Sequence, residues 1–387
     1  MSPSLSVFLV AGEVSGDRLG GALMRGLREL AGDVQFAGVG GPLMGEQGLS
    51  SLFPMDELSV MGLGEVVPKL RHLFKRKDQV VQAVLETQPD VLVTIDAPDF
   101  GLRVAKGVKA ASDIRTVHYV APSVWAWRPG RATKMARYID HVLALLPFEP
   151  PYMEAAGMQC DFVGHPVVSE PVASDAEAEA FRAVHGIEGE MMLILPGSRR
   201  GEVGRLAERF GDTLARVLSA RPGLRAVVPA AMPVAGMLEE IVAGWPGDPV
   251  LLDPRRADAA VFAATKRAAF KAADAALAAS GTVSLELAAN GTPMVIGYDF
   301  AWLSRKILPR LARIDTVTLV NLITESRVIP EFVLKNCRAA PMAEAVIKVL
   351  EAPEAQRAAL DMTMAQLGRG QEAPGLRAAR AVLQGLG

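Results

Sequence analysis

The feature that most constrains this chain is a rhythm. Short, nearly uninterrupted apolar runs are each followed by a small-residue turn and then by a longer stretch with helical spacing. Residues 5–10, 34–39, 91–95, 114–120 and 141–146 form the first series of runs. A strand reads this way when both its faces are buried, which requires helices on both sides of the sheet. Helical patterning at 18–30, 78–87 and 100–111 supplies those covers. Such βαβα alternation calls for a doubly wound parallel sheet. Prolines 147, 150, 151 and 166 interrupt it, and the Ser- and acid-rich stretch 168–179 reads as a linker. A second series follows at 191–195, 224–228, 250–252, 274–278 and 294–297. The expectation is an α/β chain of two tandem Rossmann-like domains, residues 1–170 and 171–350. A helical tail, 351–387, is expected to return to the first domain. A length of 387 residues accommodates two such domains.

Charge narrows the function classes. Lys and Arg number 41 against 43 Asp and Glu, a net charge of −2, so no global field points at nucleic acid. The two cysteines, Cys160 and Cys337, cannot build a disulfide framework or a four-cysteine zinc site. No run of 18 apolar residues is present, so no membrane-spanning helix is expected. The first seventeen residues lack the basic region and long apolar run of a secretory signal. Mean hydropathy is nevertheless +0.23, which leaves room for apolar surface.

Three turns carry candidate chemistry. Gly12-Glu13-Val14-Ser15-Gly16-Asp17 joins the first strand to a helix, where backbone N–H groups meet ligands at the carboxyl edge of a sheet. It is neither a dinucleotide fingerprint nor a phosphate loop, and a tight turn without ligand is equally consistent with it. Pro196-Gly197-Ser198-Arg199-Arg200 repeats the device with two guanidinium groups suited to phosphate oxygens. Ser280-Gly281-Thr282 is the third, with Glu286 on the first turns of the following helix. That carboxylate is placed to accept hydrogen bonds from ribose hydroxyls, or simply to complement the helix dipole. Two anion-ready turns in one domain favour a nucleotide.

Asp96 and Asp99 end a buried strand on either side of Pro98. A partly desolvated carboxylate at a strand end suits a general base, and Asp99 suits helix capping better than Asp96 does. Trp125, Trp127 and Arg128 follow the next strand, an aromatic and cationic group fit for sugar rings or acyl chains, or else an ordinary core pair. The five histidines are scattered, and no zinc or serine-hydrolase motif occurs, so no metal site is expected.

Val66, Leu70, Leu73 and Phe74 share one helix face, with Lys69, Arg71, Lys75, Arg76 and Lys77 crowded beside them. A basic amphipathic helix of this kind lies in the headgroup plane of an anionic membrane. The alternative is that the apolar face packs on the core. A weaker copy spans Trp302, Leu303, Ile307 and Leu311 with Arg305, Lys306 and Arg310, and Pro309 would kink it.

Taken in order, the stretches 11–17, 38–42, 60–62, 95–100, 118–128, 145–149, 162–165, 195–199, 279–282 with Glu286, and 293–298 resemble the lipid-A-disaccharide synthase family over nearly the whole chain. The resemblance implies a two-Rossmann-domain glycosyltransferase of the GT-B type with a cleft between the domains. It implies transfer from UDP-2,3-diacylglucosamine to 2,3-diacylglucosamine 1-phosphate, giving a β-1,6-linked disaccharide 1-phosphate and UDP. It further implies no metal or cofactor, and a place on the cytoplasmic face of the Gram-negative inner membrane against its anionic lipid. Asp96 is then the base, Arg199 a phosphate contact and Glu286 the ribose contact. Ser280, Gly281 and Thr282 complete the donor site. Ser15, Asp17, Asp99, Trp125, Trp127 and Arg128 are candidate acceptor-side residues. Leu70, Leu73, Phe74, Arg76 and Lys77 are the candidate membrane contact. The match weakens over 230–271 and over 321–331, where polar residues are candidate donor contacts. Oligomerisation stays open. Two other readings compete: a non-hydrolysing UDP-sugar 2-epimerase, and a nucleotide-binding peripheral membrane protein without catalysis.

Overall fold

The computed structural model describes residues 4–58, 63–300 and 314–387, with backbone alone for 63–69. The chain forms two compact units, Met1–Ser169 with Leu367–Gly387, and Glu170–Gln366. Both are α/β, each built on a six-stranded parallel sheet.

In the first unit the strands are β1 (Leu5–Ala11), β2 (Val34–Val39), β3 (Val91–Ile95), β4 (Arg115–Tyr119), β5 (His141–Ala144) and β6 (Gln159–Phe162). Their order is β2-β1-β3-β4-β5-β6. β1 shows why the apolar runs do not alternate. Val7, Leu9 and Ala11 enter one core with Leu19, Leu23 and Leu27 of the helix Val14–Ala31, while Phe8 and Val10 enter another with Val80, Val84 and Leu102. Both faces are dry, so every position is apolar. The last helix, Pro374–Gln384, completes this unit by packing Ala378, Ala379 and Val382 into the first core. The two helices cross at small residues. A Cβ on Gly26 would lie 2.7 Å from the Gly375 carbonyl, and one on Gly375 would lie 2.8 Å from Ala22 Cβ.

The second unit holds β7 (Met191–Leu195), β8 (Arg225–Pro229), β9 (Val250–Leu252), β10 (Ala275–Ala278), β11 (Met294–Tyr298) and β12 (Glu331–Val333), ordered β12-β11-β10-β7-β8-β9. Renumbered within the unit, this is the 3-2-1-4-5-6 order of a dinucleotide-binding sheet. The helix Arg200–Ala220 buries Val203, Leu206, Phe210 and Leu214 against one face of it.

Two expectations need correction, and two strands were not foreseen. The expected tail divides. Glu354–Gln366 belongs to the second unit, where buried Gln356 accepts from Met294 N (2.7 Å) and donates to Met294 O (3.0 Å), and only residues 367–387 join the first. The expected linker ends early, because Asp175–Val184 is a helix opened by a capping box between Ser174 and Glu177. The edge strands β6 and β12 carry too little apolar pattern to be expected from sequence.

Candidate active site

In the first unit β1 is flanked by β2 on one side and β3 on the other, so the connections leave in opposite directions from the β1/β3 boundary. The carboxyl ends of those two strands form the crevice in which open α/β sheets bind ligands. The turn 12–17 and Asp96 both sit there. Ser15 Oγ donates to Asp96 Oδ2 at 2.6 Å. Asp96 and Ala97 occupy the left-handed region in succession, with φ of 50° and 37°, which costs non-glycine residues about 1–3 kcal/mol each. Asp96 N–H donates to Tyr119 O (2.9 Å), and Pro98 opens the helix Pro98–Lys109 immediately afterwards, so the surroundings impose the conformation. Gly12 makes room for it: a Cβ there would stand 3.1 Å from Ala97 Cβ. A half-buried carboxylate held off the end of β3 with a hydroxyl on one oxygen is the arrangement a general base requires.

The neighbouring acids have other roles. Asp17 is 2% exposed, and its carboxylate accepts from the backbone of Gly41 (2.9 Å), Leu43 (3.0 Å) and Met44 (3.0 Å). Its carboxylate is thus committed to the amides at the start of the short helix Pro42–Glu46. Asp99 is exposed, 3.5 Å from Arg131, in the first turn of its helix.

Trp125 Nε1 donates to Glu149 Oε1 (3.2 Å), and its ring meets Phe148 edge-on at 5.1 Å. Trp127 stacks under Arg128, whose guanidinium carbon lies 4.3 Å from the ring centroid. Sequence reasoning did not single out Glu149, although it closes one of the stretches that carry the resemblance. It is 3% exposed and also accepts from Leu145 N (3.2 Å) and Leu146 N (3.0 Å). Burial pushes its pKa up to about 7, against the opposing pull of its three donors. A carboxyl protonated more readily in the fold than in the unfolded chain adds stability at low pH, and that contribution is lost as pH rises through about 7. The cost of Glu149→Gln should therefore be larger at pH 4.5 than at pH 8, by on the order of 3 kcal/mol. Urea unfolding of both proteins across that range checks this, and a pH-independent difference would refute it.

The candidate membrane helix also divides. Leu70 and Phe74 are exposed, but Arg76 is committed to Glu57 through Nε (2.7 Å) and Nη2 (2.8 Å) and lies over the Phe53 ring. Lys77 pairs with Asp78 at 2.6 Å. The side chains of Val66 and Lys69, the stretch 60–62 and the weaker patch from Trp302 to Leu311 lie outside the described residues.

In the second unit the corresponding boundary lies between β7 and β10. A pocket of about 450 Å³ opens at their carboxyl ends, and Arg199, Ser280, Gly281, Thr282 and Glu286 all line it. Five residues singled out from two separate turns thus meet on one cavity. Ser280 Oγ donates to Val317 O (3.0 Å), which fixes the turn, and Arg199 extends outward, 3.4 Å from Glu202. Lys266, from the helix Ala259–Ala272, reaches the pocket and pairs with Glu286 at 2.6 Å. Sequence reasoning missed it because it lies on a separate helix, within a stretch where the resemblance weakens. The side chains of Asn321 and Glu331 bond within their own loop. Glu331 accepts from Thr316 Oγ1, Val317 N (3.0 Å) and Thr318 N (2.9 Å), while buried Asn321 bonds Ile329 through its amide N and O. Together they lock the loop that holds Ser280. Among the described residues, no group of three His, Cys, Asp or Glu is placed to hold a metal ion.

Comparison with known proteins gives a consistent result. The sequence profile described as lipid-A-disaccharide synthetase matches residues 7–381. A lipid-A-disaccharide synthase from Ruegeria pomeroyi is 62% identical over 383 residues, covering 99% of this chain and 96% of that protein. One from Rhodospirillum centenum is 48% identical over 390 residues, covering 99% and 95%. Among solved structures, UDP-GlcNAc 2-epimerase from Neisseria meningitidis bound to UDP-GlcNAc aligns with a TM-score of 0.63 at 11% identity, covering 99% of each chain. Acinetobacter baumannii MurG aligns at 0.52 and 15%, covering 98% of this chain and 99% of that one. At such identities the structural likeness speaks for the fold alone.

Proposed function

The chain belongs to the lipid-A-disaccharide synthase family, a family of glycosyltransferases in lipid A biosynthesis, and from that premise we propose the following reaction and division of labour. The donor is UDP-2,3-diacylglucosamine and the acceptor 2,3-diacylglucosamine 1-phosphate. The acceptor 6-hydroxyl gives its proton to Asp96 as its oxygen bonds to the donor anomeric carbon. The bond from that carbon to the UDP oxygen breaks, UDP leaves, and the anomeric centre inverts to give a β-1,6 link. Arg199 and the amides of the turn 280–282 take up the charge that develops on the departing diphosphate, so no metal is required. Glu286 accepts from the ribose hydroxyls. The observation that supports this reading best is the convergence of Arg199, the turn 280–282 and Glu286 on one pocket at the switch point of the second sheet.

The same proposal places the protein on the cytoplasmic face of the inner membrane, held by apolar surface. Among the described residues no helix is long and apolar enough to cross a bilayer, and Leu70 and Phe74 are exposed on the first unit. Mass spectrometry of the products from UDP-2,3-diacylglucosamine and purified protein tests the reaction. UDP and a disaccharide 1-phosphate should appear when the lipid acceptor is added and not before. An epimerised UDP-sugar formed without acceptor would refute the reading.

A further inference from the structure

Residues 103–137 carry eight Lys or Arg and one acid, Asp113, in a chain whose net charge is −2. Seven of the eight fall at steps of three: 103, 106 and 109, then 128, 131, 134 and 137. The first set lies on the helix Pro98–Lys109, and the second runs through the short helix Gly130–Met135. Residues three apart share a helix face. The fold brings the far ends of the two sets together: Lys106, Lys109, Lys134 and Arg137 line one cavity of about 450 Å³, which Ala110 and Tyr138 complete. Lys109 ends its helix and Tyr138 lies just ahead of β5, so this cavity sits at the amino ends of β4 and β5. Asp96 stands off the carboxyl end of β3, the opposite edge of the same parallel sheet.

The frame of the cavity is fixed, while three of its four cations are unmatched. Asp140 Oδ2 accepts from Lys109 Nζ (2.8 Å) and from Thr116 N (2.9 Å), which ties the helix end to β4. Thr116 Oγ1 donates to Tyr138 O (3.0 Å) and holds the other wall. Among the described residues, Lys106, Lys134 and Arg137 pair with no carboxylate. The helix dipole accounts for Lys106 and Lys109, which stand in the last turn of their helix. It does not account for Lys134 and Arg137, which arrive from a separate segment. Like charges gathered on one volume repel, and a multiply charged anion removes that repulsion. The lining narrows the anion further. It holds no carboxylate and no aliphatic residue beyond Ala110, so it suits neither a cation nor an acyl chain. A guanidinium fork, ammonium groups and a phenol are donors that match phosphate oxygens.

We propose that this cavity binds a phosphate group carrying two or more negative charges, a phosphomonoester or a diphosphate, at a site separate from the donor pocket. Small soluble phosphates carry such a group, and so does the headgroup of a phosphomonoester lipid. The test measures pyrophosphate binding to the full chain by calorimetry at low salt. In parallel it measures sedimentation with phosphatidylcholine vesicles containing phosphatidic acid. The variants are the doubles Lys106→Ala with Arg137→Ala, and Lys106→Glu with Arg137→Glu. Both side chains are exposed, so the fold should survive, and thermal unfolding checks this. For the pyrophosphate arm the doubles are made in Arg199→Ala protein, so that the donor pocket does not mask a loss. Arg199→Ala alone should still bind pyrophosphate. The alanine double should weaken that binding by about tenfold or more, and the glutamate double should abolish it.

Loss of pyrophosphate binding in the doubles supports the site and makes its ligand a soluble phosphate. Absence of pyrophosphate binding throughout, with sedimentation on phosphatidic acid that both doubles abolish, supports the site and makes its ligand a lipid headgroup. Pyrophosphate binding and vesicle sedimentation that are the same with and without the doubles would overturn the proposal. The doubles in the otherwise wild-type chain should leave UDP affinity unaltered. A fall in UDP affinity by the same factor as in pyrophosphate affinity would overturn it too, since the loss would then not be local to this cavity.

Discussion

Asp96→Asn should lower the rate of disaccharide formation by about 10²–10⁴-fold, the usual contribution of a positioned general base. That is roughly 3–5 kcal/mol of transition-state stabilisation. The substitution isolates the chemistry unusually well. Asparagine tolerates the left-handed conformation that residue 96 adopts at φ 50°. Its amide oxygen can accept the Ser15 hydroxyl as the carboxylate does, so the local geometry survives while the proton acceptor is lost. Asp96→Ala adds the backbone cost of an alanine in that region and should be less stable as well as inactive. The measurement is steady-state turnover, with UDP affinity and thermal unfolding of Asp96→Asn matching wild type. Turnover within tenfold of wild type would sink the assignment. Asp99 would be a poor replacement, because its side chain is 98% exposed and lies beside Arg131 rather than in the crevice.

What could be foreseen from sequence and what could not divide along physical lines. Strands buried on both faces announce themselves, and so β1, β3 and β7 lie where their apolar runs predict. β6 and β12 are edge strands, and their partly exposed residues carry no such pattern. The capping box at Ser174 and Glu177 was legible as Ser-x-x-Glu, but the acidic, Ser-rich composition around it suggested a linker. Gln356 shows a different limit. A polar residue that bonds both backbone groups of Met294, 62 positions away, cannot be recognised as core without the fold.

The sites divide in the same way. Turn chemistry is local, so Ser280, Gly281, Thr282 and Arg199 could be picked out before their meeting was visible. Asp17 sat in an equally suggestive turn, yet its carboxylate is consumed by amides of residues 41–44, a contact fixed by tertiary structure. Lys266 and Glu149 failed for the converse reason. Nothing in their immediate sequence distinguishes a lysine that reaches a pocket, or a glutamate that has lost its water, from any other.

The donor pocket yields the second large expected effect. Arg199→Ala and Glu286→Ala should each weaken UDP binding by about tenfold or more in calorimetry, since a hydrogen bond to a charged group contributes about 1.5–3 kcal/mol. The fold should survive both. Arg199 is 70% exposed, with Glu202 at 3.4 Å as its ion-pair partner, and an exposed pair of that kind adds little to stability. Glu286 is half-buried and pairs with Lys266, itself half-buried, so its loss leaves an ammonium that water can still reach. The two substitutions should differ in what they discriminate. On the proposed assignment of Arg199 to phosphate, Arg199→Ala should weaken UDP and leave uridine unchanged, and its deficit should shrink as salt rises. On the proposed assignment of Glu286 to ribose, Glu286→Ala should weaken uridine and UDP by similar factors. Lys266→Ala provides a further control: it removes a cation from the pocket and frees Glu286, so UDP should suffer more than uridine. Unchanged UDP affinity in both Arg199→Ala and Glu286→Ala would show that the pocket at the β7/β10 boundary is not where the donor is held.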